Sequence, residues 1–192
     1  MSSYVWLINN GFFNSFICAY DACFFLLYGL LSWFGPGIIS CYVCIGDSLS
    51  DVGNNNYLHT TEKCNFPPYG IDYPGGVANA RCTNGKNVAD FLADKLGMPS
   101  PKPFLSLLET RKYHESLLGV NFASSSARIL ISTYEGLCTS LDNQIDYYSS
   151  VFEALVEKMG ISHTQRFISS SISMICWCCC SKLSTTLESA IL

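Results

Sequence analysis

Ser48 is the residue in this sequence best placed to do chemistry. It stands in Gly46-Asp47-Ser48-Leu49-Ser50-Asp51-Val52-Gly53-Asn54-Asn55, directly after the apolar run 41–45. A short buried strand that ends in a glycine turn can lift a serine hydroxyl above the edge of a sheet, where it can attack a carbonyl. A serine in a Gly/Asp turn standing alone more often only fixes the turn. A hydroxyl nucleophile also needs a base, and the sequence holds three histidines, His59, His114 and His163. Each falls in a polar loop or at a helix start, where a solvated imidazole is the ordinary reading. The remaining reactive side chains are eleven cysteines. An odd number leaves at least one unpaired within the chain. The cluster Cys176, Cys178, Cys179 and Cys180 lacks the C-x-x-C spacing and neighbouring histidine that tetrahedral zinc prefers. The sequence offers no metal site, and nothing in it calls for a cofactor.

The elements that must position Ser48 read as alternating strands and helices. The run CYVCI at 41–45 predicts a buried strand, and a loop rich in Asn, Gly and Pro follows it. Val88, Phe91, Leu92 and Leu96 recur at helical spacing, with Asn84 placed to cap a helix over 85–96 and Gly97 to end it. GVNFA at 119–123 predicts a second strand. After Ser140, the residues Leu141, Ile145, Tyr148, Phe152, Leu155 and Met159 predict a helix face running to Gly160. Ser162 and Gln165 have the spacing of a capping box for a further short helix, and ISMICWCC predicts a third strand. This alternation predicts an α/β fold with a parallel sheet.

The string GDSLSDVGNN closely resembles the first signature block of the plant GDSL esterase/lipase family, within the SGNH hydrolase superfamily. The resemblance continues through NFPPYGIDYPGGVANARCTNGKNVADFLADKLGMP and GVNFASSSARIL to SLDNQIDYYSSVFEALVEKMG, so it covers about residues 41–170. It implies a three-layer αβα sandwich and acyl transfer from an ester to serine and then to water. Carried over, Ser48 is the nucleophile, and Ser48 and Ser126 give backbone N–H groups to the oxyanion. Gly46, Asp47, Asp51, Gly53, Asn54 and Asn55 form the supporting turn. Ser125 and Ser126 stand where the family's second block has glycines, and Arg128 replaces a third. A side chain at a position that needs φ > 0 costs about 1 to 2 kcal/mol. Ala80 and Cys82 likewise depart from the family's G-R-F around Arg81. Neither the family's G-x-N-D, whose Asn is a further oxyanion donor, nor its D-x-x-H, which carries the catalytic Asp and His, occurs in these 192 residues. The sequence therefore reads as a truncated member with a sheet incomplete at its C-terminal end, very weak or inactive as an enzyme. The alternatives are a non-catalytic product, a ligand-binding remnant and a membrane-tethered protein.

Composition agrees with a folded domain. Apolar residues make up 49% and charged residues 14%, which excludes disorder. A net charge of -4 gives no basic surface for nucleic acid. No Lys or Arg precedes Lys63, and residues 22–34 (ACFFLLYGLLSWF) are apolar throughout. That run fits a signal-peptide h-region and is short of the roughly 20 residues that span a bilayer. The chain thus divides into an apolar head (1–40), the hydrolase-like part (41–170) and a divergent Cys-rich tail (171–192). The expected setting is secreted, with membrane anchoring through the head as the alternative. The expected partner is a small-molecule or lipid ester. A sheet cut short also predicts an exposed inner strand and self-association.

Overall fold

The computed structural model describes residues 3–9, 16–19, 39–110, 118–129 and 134–178. The strand that leads to Ser48, β3 (Tyr42–Gly46), lies inside a six-stranded sheet. The other strands are β1 (Ser3–Asn9), β2 (Phe16–Ala19), β4 (Lys102–Pro103), β5 (Val120–Asn121) and β6 (Ile172–Cys178), in the order β2-β1-β6-β3-β5-β4. β3 runs parallel to β5, with Val43 opposite Val120, and parallel to β6, with Tyr42 opposite Ile172 and Gly46 opposite Cys176. β4 continues the parallel set beyond β5.

Both faces of this parallel core are covered, which is why its strands read as continuous apolar runs. Tyr42 and Cys44 point to one face with Ile172, Met174 and Cys176, against α1 (Val88–Lys95). Cys41 and Val43 point to the other with Val120 and Phe122, against α2 (Phe104–Thr110) and α3 (Leu141–Met159). A fourth helix, α4 (Ile161–Ser169), leads into β6. The expected strands and their parallel pairing are therefore present, with α2 as an element the sequence did not signal. Phe104 anchors α2 by stacking on Tyr147 at 4.7 Å and by lying 5.1 Å from the Phe122 ring.

The head adds something the sequence did not suggest. β1 pairs antiparallel with β6 over its full length, Ser3 opposite Cys178 through Asn9 opposite Ile172, and β2 pairs antiparallel with β1. The side of β6 away from β3 is thus taken by the chain's own N-terminal strand, where a sheet cut short was expected to leave an inner strand exposed. The proposed h-region at 22–34 lies outside the described residues, as do Cys179 and Cys180.

Three local readings change. α1 is capped by Asn87, not Asn84: the Asn87 side chain accepts from the N–H groups of Ala89 and Asp90, and the Asp90 carboxylate accepts from the Asn87 N–H. Asn84 instead donates to Asp72. α4 begins at Gly160 with no side-chain cap, so Ser162 and Gln165 form no capping box. Phe91 is 50% and Ile145 47% exposed. The buried face of α3 is shifted to Gln144, Val151 and Leu155, because Gln144 is held by backbone at the end of β3.

Asp90 also receives Arg81 in a two-point pair, Nε to Oδ2 at 2.6 Å and Nη2 to Oδ1 at 2.8 Å, with both side chains buried. Burial alone would raise the Asp90 pKa, but the bonds from Arg81, Ser100 and the Asn87 N–H outweigh it and hold the carboxyl below its usual range. Removing one partner strands a buried cation. Asp90→Ala should therefore lower the unfolding free energy by about 3–5 kcal/mol in urea titrations. Asp94→Ala, which breaks the exposed Lys86–Asp94 pair, should leave the midpoint unchanged.

Candidate active site

Ser48 lies one residue beyond Asp47 in the turn that closes the C-terminal end of β3. It is half-buried, and among the described residues neither its hydroxyl nor its backbone N–H has a hydrogen-bond partner. The turn around it, by contrast, is fully engaged. The Asp47 carbonyl accepts from the N–H groups of Ser50 (3.1 Å) and Asp51 (3.0 Å), and the Asp47 carboxylate accepts from the Leu49 N–H (3.0 Å). Gly46 is required here by space, since a Cβ would lie 2.2 Å from the Cys176 carbonyl oxygen and 2.5 Å from the Ser50 Oγ. Gln144, from the buried face of α3, clamps the same glycine: its Oε1 accepts from the Gly46 N–H at 2.9 Å and its Nε2 donates to the Gly46 carbonyl at 3.0 Å.

Asp51 ties this turn to the one after β5. Its Oδ1 accepts from the N–H groups of Gly53 and Asn54, both at 2.8 Å, and its Oδ2 accepts from the Ser125 N–H at 2.8 Å. Desolvation of the fully buried carboxyl pushes its pKa up to about 6, partly offset by those N–H donors. Asn54 donates to the carbonyls of Asn121 and Ala123, each at 2.8 Å, and Asn55 donates to that of Ser125 at 3.0 Å. Asn121 returns a bond from its Nδ2 to the Ser50 carbonyl at 2.7 Å. Gly53 takes φ +126 between these groups.

Ser126 follows with φ +63, the left-handed region that disfavours a Cβ. Its Oγ donates to Glu62 at 2.5 Å, its carbonyl accepts from the Cys138 thiol at 3.5 Å, and its N–H has no acceptor among the described residues. Ala80, another position where the resembled family has glycine, also has positive φ, +66, whereas Ser125 and Arg128 do not take positive φ. Among the described residues, His59 and His163 are exposed and neither is bonded to Ser48, and His114 lies outside them. Sequence reasoning missed Gln144, Asn121 and the disulfide Cys64–Cys82. The signal for Gln144 was present as a polar residue inside an otherwise apolar helix stripe. Burial pushes the Cys44 thiol up to about 12, so that core cysteine is a packing group and not a nucleophile.

Both replacements at Ser126 lose the hydroxyl bond to Glu62, and only glycine also relieves the left-handed backbone. Ser126→Gly should therefore be more stable than Ser126→Ala by about 1 kcal/mol, as read from urea midpoints.

Comparison with known proteins agrees with this architecture. The family model for GDSL-like Lipase/Acylhydrolase matches residues 42–171. Three Arabidopsis thaliana proteins are among the similar relatives. GDSL esterase/lipase 5 is 34% identical over 143 residues, which is 73% of this chain and 36% of that protein. GDSL esterase/lipase At2g04020 is 42% identical over 127 residues, 65% of this chain and 38% of the relative. GDSL esterase/lipase At5g55050 is 41% identical over 144 residues, 71% and 37% respectively. The chain thus spans little more than a third of the length of these relatives. No solved structure gives a significant match. The match over residues 42–171, laid on a parallel α/β sheet with the GDSL serine at a strand's C-terminal end, makes this chain a member of the GDSL-like lipase/acylhydrolase family.

Proposed function

We propose that these residues form the nucleophile-bearing part of a serine ester hydrolase. Ser48 attacks the carbonyl of a small-molecule or lipid ester, and the acyl group then passes to water. The observation that carries the reading is the Ser48 turn itself: a half-buried serine whose hydroxyl and N–H are unengaged, within a turn whose other groups are held by Asp47, Asp51 and Gln144. In this role the N–H groups of Ser48 and Ser126 receive the oxyanion. A tetrahedral intermediate needs donors that are already oriented, because reorienting them during reaction would raise the barrier. The Asp51 and Asn55 bonds to Ser125 supply that orientation for the turn carrying Ser126.

A secreted setting is the compartment we assign, supported by the Cys64–Cys82 disulfide, which oxidising compartments maintain. No helix among the described residues is long and apolar enough to cross a membrane, and the apolar run at 22–34 lies outside them. Self-association through the sheet is left out, since β1 occupies the side of β6 that would mediate it.

Residues 1–192 carry no D-x-x-H and no G-x-N-D, so taken alone they hold a nucleophile without the base that would accept its proton. Losing the histidine of a serine triad costs on the order of 10⁶-fold in kcat in subtilisin. Hydrolysis of a short p-nitrophenyl ester by this 192-residue chain should accordingly equal that of a Ser48→Ala control, and a fluorophosphonate probe should leave Ser48 unlabelled. Turnover well above the control at neutral pH would mean that a base is present within the chain. Substitution of His59, His114 and His163 in turn would then locate it.

A further inference from the structure

Sulfur surrounds the turn that carries Ser126. On one side is the disulfide Cys64–Cys82, whose Cys82 sulfur lies 3.1 Å from the Ser125 Oγ and whose Cys64 sulfur lies 3.9 Å from it. On the other is the Cys138 thiol, which donates to the Ser126 carbonyl. A disulfide sulfur has no hydrogen, so Ser125 is the donor to Cys82. The bridge is thus in contact with the residue whose N–H Asp51 holds, next to the left-handed Ser126.

At its far end the segment that the bridge closes is held by Arg81, bonded to Asp90, Val52 and Ser100, but its middle, 65–79, has few anchors. Phe66, Ile71 and Val77 are exposed, and Gly70, Gly75 and Gly76 all take positive φ. The ties of 65–79 are backbone bonds from Gly70 to Thr83 and from Asp72 to Asn84, the Asn84 amide on the Asp72 carboxylate, the Arg81 N–H on Asn79 and the Arg81 guanidinium over the Tyr73 ring. A loop with little buried apolar surface opens locally at small cost once a covalent tie is cut. Just before the bridge, Glu62 holds the Ser126 hydroxyl and gives its carbonyl to Asn55. Loosening at Cys64 therefore reaches the Ser124–Ser126 turn through two routes, the Ser125 hydroxyl and Glu62.

We propose that the Cys64–Cys82 disulfide is a redox latch that fixes the Ser125–Ser126 turn. The latch rests on the contacts themselves; only its consequence for catalysis depends on reading Ser126 as an oxyanion donor. Cys82 is partly exposed and Cys64 is buried, so a small dithiol meets the Cys82 sulfur first. Its thiolate attacks Cys82 and Cys64 leaves as a thiolate. The second thiol of the reductant then closes to give a cyclic disulfide. Two electrons and two protons pass from the dithiol to Cys64 and Cys82.

The test is amide hydrogen exchange on the full chain, oxidised and after dithiothreitol, followed by mass spectrometry on peptides covering 62–82, 122–128 and 141–159. Reduction should speed exchange on the order of tenfold or more in 62–82 and in 122–128, while 141–159 stays unchanged. Ser125→Ala keeps the bridge and should loosen 122–128 in the oxidised chain while 62–82 stays protected. Faster exchange confined to 62–82 would overturn the proposal, because the bridge would then staple only its own loop. Acceleration in all three peptides would also overturn it, as general destabilisation. None of these readouts uses ester turnover, so an inert Ser48 would leave the latch standing, and a failed latch would leave the esterase reading untouched.

Discussion

A single buried carboxylate holds the two turns of this site in register. Asp51 is fully buried and spends its oxygens on three backbone N–H groups, two just after the Ser48 turn and one in the turn after β5. The segments it joins are 74 residues apart in sequence. Without that acceptor the buried N–H groups of Gly53 and Asn54 would lose their bonds, at about 1–3 kcal/mol each, and the Ser125 N–H would keep only Asn55 Oδ1. Asn54, Asn55 and Asn121 extend the same arrangement with amides that donate to carbonyls, so donors and acceptors from both turns are matched across the gap.

The sheet supplies the base on which this polar layer rests. Parallel pairing of β3 with both β5 and β6 brings the C-terminal ends of the strands together, and ligands of open α/β sheets bind at that edge. Gln144 reaches the same edge from α3 and gives the Gly46 peptide the partners that a neighbouring strand would otherwise provide. One helix face thus does two things at once: Val151 and Leu155 pack on the sheet, and Gln144 fixes the residue from which the Ser48 turn departs.

Much of this was legible in the sequence, for physical reasons that can be named. Strands buried on both faces show as apolar runs, which is why 41–45 and the ISMICWCC segment were readable. The GDSL string located Ser48 because turn chemistry is local. The departures at Ala80 and Ser126 were legible as well, and both residues take positive φ. What was not legible depends on distant contacts. The α1 cap moved three residues because Asp72 engages Asn84, while Asn87 meets Asp90 and the Asp51 carbonyl. The buried stripe of α3 shifted because a glutamine bonded to backbone buries as well as a leucine. Eleven cysteines admit too many pairings for spacing to have singled out Cys64–Cys82. An apolar head gives no hint in its composition that part of it will pair with β6.

The role assigned to Asp51 is tested most directly by unfolding free energy against pH, for the wild-type chain and for Asp51→Asn. Burial pushes its folded pKa up to about 6, above the ordinary 3.8 of the unfolded chain. The group's stabilising contribution is therefore complete below the unfolded pKa and is lost as pH rises through the folded one. Between pH 4 and pH 7 the wild type should lose up to about 3 kcal/mol relative to the variant, from the 1.36 kcal/mol that attaches to each pKa unit. Parallel profiles for the two proteins would show that Asp51 does not ionise as a buried group, and the account of how the two turns are held together would fail.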